Sequence, residues 1–146
     1  MDNVDRLQIE NIKNIKIKDK LQKINLKETN GITLAYLGDS VWELFIRKFY
    51  IEKNLNIKNL NKKVKAMVNA KKQSEIFEKI FSSLDKEYQE LGIRGKNSNI
   101  KSFPRSCSPY EYRKATAFEA IIGSLYINNE IDFIENIIKI YAEEEI

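Results

Sequence analysis

The sequence predicts an all-helical protein, and three observations carry that reading. From Leu34 onward, apolar residues recur every three or four positions in one segment after another, the period of a helix with one buried face. The breaks between these segments fall at residues that stop helices: Asn30-Gly31, Gly92, and a run dense in Gly, Asn, Ser and Pro before Tyr110. No segment needs a sheet to account for it. A length of 146 residues sets one domain as the expectation, and 42% apolar residues with only two Pro and five Gly argue for globular order.

Residues 1–30 are rich in Lys, Asn and Ile, and Leu7, Ile9, Ile12, Ile15, Ile17, Leu21, Ile24 and Leu26 mix a period of two with a period of three to four. Short helices are expected there, with residues 1–28 as an accessory segment ahead of a main domain over 29–146. After the Asn30-Gly31 turn, Leu34, Leu37, Val41, Leu44, Phe45 and Phe49 form a helical stripe that ends near Lys53-Asn54. A second helix is expected from about Asn59 to Phe81, turning Leu60, Val64, Met67, Val68, Phe77, Ile80 and Phe81 inward and its lysines outward. Residues 82–92 predict a short helix with Leu84, Tyr88 and Leu91, closed by Gly92. The stretch from Ile93 to Pro109 predicts a long basic surface loop, a feature that is often functional in a compact domain. Helix resumes from Pro109, at a permitted first-turn position, to Tyr126 through Tyr112, Ala115, Phe118, Ile121, Ile122 and Leu125. A last helix spans about Ile131 to Ala142.

Composition excludes several chemistries. The chain has no His, which removes the usual general base near neutral pH and the Ser-His and Cys-His nucleophile schemes. Its one cysteine, Cys107, forms no internal disulfide and is too few for a zinc site. Hydrolysis would have to use carboxylates, Lys, Tyr or a cation held by oxygen, and hard oxygen donors favour Mg²⁺ or Mn²⁺. No aliphatic stretch approaches the length of a membrane span, and the polar start (Asp2, Asn3, Asp5, Arg6) lacks the core of a secretory signal, so a cytoplasmic address is expected. The net charge of +4 is unevenly spread. Lys58, Lys62, Lys63, Lys65, Lys71 and Lys72 share a stretch without acids, as do Arg94, Lys96, Lys101 and Arg105, whereas Glu130, Asp132, Glu135 and Glu143–Glu145 cluster late. Such segregation suits a polyanion on one side; equally, a Lys-rich helix face can be merely solvated.

Two carboxylates stand out. Asp39 lies in L-A-Y-L-G-D-S-V-W-E (Leu34 to Glu43), and Glu119 in A-T-A-F-E-A-I-I-G-S-L-Y (Ala115 to Tyr126). Each sits among apolar residues at helical spacing, where a charge needs a partner, a proton or a cation. Gly38 and Gly123 flank them, so a helix crossing at those glycines would bring Asp39 and Glu119 together. A divalent cation would relieve their repulsion and lower the pKa of a bound water. The plain alternative has Asp39 capping a helix or forming an ion pair, and Glu119 pairing with Arg47 or Arg113.

At these residues the chain resembles the ribonuclease III family, in its Mini-ribonuclease III branch, which consists of the nuclease domain alone. L-A-Y-L-G-D-S-V-W-E looks like the Mini version of the E-x-x-E-F-L-G-D-[AS] signature, and Y-R-K-A-T-A-F-E-A-I-I-G-S-L-Y (Tyr112 to Tyr126) resembles the D-x-x-E-A-x-x-G-x-x-Y helix. V-N-A-K-K-Q-S-E-I (Val68 to Ile76) and R-G-K-N-S-N (Arg94 to Asn99) look like further Mini-type segments. Four blocks in order over roughly residues 29–142 make the resemblance specific. It implies the ribonuclease III-type helical endonuclease domain. It also implies a Mg²⁺-dependent homodimer, with Mn²⁺ as a substitute, that cuts double-stranded RNA to 5′-phosphate and 3′-hydroxyl ends, in the maturation of 23S ribosomal RNA precursors. Asp39 and Glu119 carry over as catalytic and metal-holding residues. The larger enzymes have further acids where this chain has Ala35 and Thr116, which leaves open a catalytically inactive double-stranded-RNA binder in ribosome assembly; Glu43 stays unassigned.

Duplex RNA is read by A-form shape, phosphates and 2′-hydroxyls. Asn69, Lys71, Lys72 and Gln73, with Arg94, Lys96, Asn97, Lys101 and Arg105, are of types suited to that, although Arg94 and Asn97 also suit a loop-shaping role. Trp42 and Phe45 are the candidates for a dimer interface, since aromatics at helical spacing fit a core or an interface better than a base-stacking platform.

Overall fold

A computed structural model describes residues 24–144, with Arg6 and Glu10 as isolated further positions. The expected accessory segment falls almost wholly outside the described residues. Its last part does not: Leu26 is buried in the core, and a turn over Asn25–Glu28 leads into the first helix. Among the described residues the protein is all helix: α1 (Gly31–Glu52), α2 (Ile57–Met67), α3 (Ala70–Ile80), one 3₁₀ turn (Phe81–Ser83), α4 (Lys86–Lys96), α5 (Pro109–Ile127) and α6 (Ile131–Glu143).

The fold is organised around α5. Ser108 and Glu111 close a reciprocal capping box at its start, satisfying two otherwise unpaired backbone donors, with Pro109 in the first turn. From Lys114 to Leu125 every residue is buried except Glu119, because α1, α3 and α4 pack around this helix. Lys114 is tolerated there because its ammonium pairs with Glu78 and lies 3.6 Å from the Tyr110 ring centroid.

Three expectations need correction. The helix expected over Asn59–Phe81 is two helices broken at Val68–Asn69. Asn69 is extended and caps α3, its side chain accepting from Lys72 N–H at 2.9 Å and donating to the Lys65 carbonyl at 2.9 Å. The short helix does not end at Gly92 but runs on to Lys96. A Cβ at Gly92 would meet Ile121 at 2.8 Å, and one at Gly95 would meet Ala120 at 3.0 Å, so these glycines let α4 lie close against α5. Finally, the buried face of α1 keeps the expected Leu34 and Val41, with Leu37, Phe45 and Phe49 partly buried against the core, but it centres on Gly38, Trp42, Ile46 and Tyr50, and the expected Leu44 is 61% exposed.

Trp42 is therefore no interface residue. It is fully buried, its indole N–H donates to the Met67 carbonyl at the end of α2 (2.9 Å), and its ring meets Phe118 edge-on at 4.8 Å. Phe45 is half-buried against the core and lines a cleft between α1 and α6, where Lys48 is paired with Glu52 and Glu135.

Candidate active site

Helices α1 and α5 cross with their backbones in contact. A Cβ on Gly38 would collide with the Glu119 carbonyl, 2.6 Å from its carbon and 2.9 Å from the Gly123 nitrogen, and one on Gly123 would lie 3.1 Å from the Gly38 nitrogen. Only glycine permits that approach. It sets Asp39, one residue after Gly38, beside Glu119, four before Gly123, with the two carboxyl groups within hydrogen-bonding reach of each other.

The pair opens into a cleft of about 350 Å³. One wall is α1, through Ile32, Ala35, Tyr36 and Asp39; another is α5, through Tyr112, Thr116 and Glu119; the third is the loop after α4, through Asn99–Ser102. Asp39 is exposed, whereas Glu119 is half-buried at the base. Burial first, and then the charge and hydrogen bond of Asp39, push the Glu119 carboxyl up to about 8. Without a cation, Glu119 therefore holds its proton near neutral pH.

The alternative partners are engaged elsewhere. Arg47 pairs with Glu43 at 3.3 Å, which also accounts for Glu43, and Arg113 donates to the Lys96 and Ser98 carbonyls at 3.1 and 2.9 Å. Among the described residues no third acid joins the pair. Two convergent carboxylates, one desolvated and neither in an ion pair with a Lys or Arg among the described residues, form a donor set suited to a hard divalent cation that keeps waters or phosphate oxygens in its other positions. The Thr116 hydroxyl donates to the Tyr112 carbonyl (2.9 Å), which leaves its oxygen lone pairs as acceptors at the cleft.

The residues assigned to RNA divide on inspection. Asn69 is exposed, but its side-chain amide is engaged in capping, and Gln73 is buried. Arg94 is half-buried, and its guanidinium donates to the Leu26 carbonyl at 2.9 Å and to the Thr29 carbonyl, tying the turn before α1 to α4. Lys72 is close to Glu75 at 3.9 Å. Lys71, Asn97, Lys101 and Arg105 are exposed, and Lys96 lies over the Tyr110 ring at 5.9 Å. The sequence alone does not single out Tyr112, Asn99 or Arg113 as site residues, although Asn99 closes the R-G-K-N-S-N block. The first two carry no signal as site residues until the loop is folded back, and Arg113 was weighed only as a partner for Glu119.

Comparison with known proteins places the chain in a family. The family model for the ribonuclease III domain matches residues 32–130. A Mini-ribonuclease 3-like protein of Ilyobacter polytropus is 54% identical over 121 residues, 83% of this chain and 95% of the relative. Mini-ribonuclease 3 of Clostridium tetani is 37% identical over 124 residues, 84% and 82% of the two chains. A crystal structure of a protein from Fusobacterium nucleatum superposes with a TM-score of 0.77 at 49% identity, covering 86% of this chain and all of the other. The chain belongs to the ribonuclease III family of endoribonucleases, in its Mini-ribonuclease III branch.

Proposed function

We propose that the protein cuts double-stranded RNA with a divalent cation, Mg²⁺ or in its place Mn²⁺, held by Asp39 and Glu119. The observation that carries this is the carboxylate pair at the Gly38–Gly123 crossing, facing an open cleft in a chain of this family. When bound, the cation supplies positive charge for the scissile phosphate and lowers the pKa of an attacking water. Asp39 and Glu119 fix its position, Glu119 having given up its proton. Water adds to phosphorus as the bond to the 3′ oxygen breaks, and that oxygen leaves as a hydroxyl, so the ends are 5′-phosphate and 3′-hydroxyl.

Ile32, Tyr36, Leu44 and Ile51 are exposed along one side of α1, with Tyr36 82% and Leu44 61% accessible. Large apolar side chains at that spacing suit contact with a second copy, and we assign the homodimer face to them in place of Trp42. A duplex has two strands, and two copies supply two carboxylate pairs. The natural substrate we infer is a base-paired stem of the 23S ribosomal RNA precursor in the cytoplasm.

The test is cleavage of duplex RNA with Mg²⁺ by the wild type, Asp39→Asn and Glu119→Gln. Loss of cutting in both variants with RNA binding retained is expected. A wild type that binds several duplexes, including precursor stems, and cuts none with either Mg²⁺ or Mn²⁺ would overturn the proposal in favour of a silent RNA binder. A monomer at assay concentrations would overturn the assigned interface.

A further inference from the structure

The loop between α4 and α5, residues 97–108, has no helix or strand of its own, yet four consecutive residues of it, Asn99, Ile100, Lys101 and Ser102, line the cleft beside Asp39 and Glu119. A segment of this kind holds a defined place only where something fixes its ends. The two fixed points are Ser98 and Phe103, which bracket those four residues. The Ser98 carbonyl accepts from Arg113 at 2.9 Å, and the Phe103 ring lies 5.3 Å from the Arg113 guanidinium carbon and edge-on to Tyr112 at 5.7 Å. Arg113 also binds the Lys96 carbonyl at 3.1 Å, at the negative end of α4. One guanidinium thus contacts both ends of the cleft-lining stretch and the helix it departs from, beside the Ser98 hydroxyl's bond to the Arg94 carbonyl at 2.9 Å and the packing of Phe103 on Tyr112. Arg113 itself does not line the cleft.

Lys101 is the one basic side chain lining the cleft among the described residues, and it projects from this stretch. The other charges there, Asp39 and Glu119, have the sign of the phosphate they would act on. We infer that Arg113 is a positioning residue, which holds Asn99–Ser102 through Ser98 and Phe103 so that Lys101 contacts the phosphate to be cut. This rests on the nuclease reading above. Arginine suits the role because its planar fork serves two carbonyls while its face stacks on an aromatic ring, and lysine offers neither. Lys101 contributes as a point charge where negative charge gathers as the phosphodiester opens.

A double-mutant cycle tests the coupling, read as single-turnover cleavage of duplex RNA at saturating protein. Lys101→Ala should slow cleavage about 10²-fold, the scale seen on removing one charge-stabilising group. Arg113→Gln should slow it about tenfold with duplex affinity changed little, and the double variant should be no slower than Lys101→Ala alone. Phe103→Ala, which removes the other pin, should behave as Arg113→Gln and carries the test if the arginine variant does not fold. A second readout is independent of catalysis: trypsin should nick after Lys101 and Arg105 faster in Arg113→Gln than in the wild type, with helix content unchanged. Multiplicative effects of the two substitutions, or Arg113→Gln and Phe103→Ala proteins that cut at the wild-type rate, overturn this inference and leave the nuclease reading standing. A wild type that cuts nothing overturns both.

Discussion

The floor and the rim of the cleft are held in opposite ways. At the floor, α1 and α5 touch backbone to backbone at Gly38 and Gly123, and from Lys114 to Leu125 α5 is buried except at Glu119. At the rim, Asn99–Ser102 hang between two anchors, Ser98 and Phe103, that share Arg113 as a common contact. The difference follows from what each part must withstand. Two like charges brought together repel, so without a cation Glu119 keeps its proton up to about pH 8, and above that only an unyielding frame holds the two groups converged. A rim that meets an RNA backbone has no such repulsion to resist, and a few polar and stacking contacts suffice. Changes at the floor should therefore disturb stability, whereas changes at the rim should disturb activity and leave stability almost untouched.

The largest effect is expected at Gly38. An added methyl would meet Glu119 and Gly123 backbone, which cannot swing aside as a side chain can, so Gly38→Ala must part the helices. A loss of about 3 kcal/mol or more is expected, beyond the usual range of overpacking, measured by denaturant unfolding. A variant within 1 kcal/mol of the wild type would mean that the crossing is not rigid.

Glu119 comes next, because the floor stores its repulsion. With the folded carboxyl near 8 and an ordinary value of 4.5, the folded state holds a proton that the unfolded chain releases between those limits. Stability from this group is therefore highest below about pH 4.5, falls as pH rises towards 8, and is level above it. In EDTA, Glu119→Gln should match the wild type near pH 5 and exceed it at pH 8 to 9 by on the order of 2–4 kcal/mol. Adding Mg²⁺ should recover the difference in the wild type alone. Parallel stability curves for the two proteins across that range would show that Glu119 is not under the strain that burial and Asp39 impose.

How far the sequence exposed this arrangement depends on which force set each feature. The crossing was legible because small residues beside isolated acids are unusual, and Gly38 and Gly123 stood next to both. The same glycine hid the true face of α1. With no side chain at position 38, the buried line Leu34, Gly38, Trp42, Ile46 and Tyr50 looks broken, and Leu37 and the exposed Leu44 shift the apparent apolar stripe away from Trp42. Apolar spacing continues across the break at Val68–Asn69 and conceals it; what marks it is the capping side chain of Asn69, with the Trp42 indole taking the Met67 carbonyl. The rim was expected as a basic loop, but its return to the cleft depends on Arg113 reaching back to Ser98, a contact without any local pattern.

The smallest effects concern the basic stretch around α3, where the same contrast between frame and surface separates neighbours two positions apart. Asn69 holds the start of α3 through three hydrogen bonds, to Lys65, Ala66 and Lys72 backbone atoms, while Lys71 projects into solvent. Asn69→Ala should lower stability by about 1 kcal/mol, the usual loss for an N-cap, and leave duplex affinity unchanged at temperatures where it stays folded. Lys71→Ala should change stability by less than about 0.5 kcal/mol, as exposed substitutions do. If Lys71 meets a phosphate, its loss should weaken binding across all duplex sequences and reduce the salt dependence of log K by roughly one contact. The reverse pattern, with Asn69→Ala impairing affinity at full stability and Lys71→Ala leaving it intact, would place the capping amide at the RNA and return the surface role to the residue that the fold has already occupied.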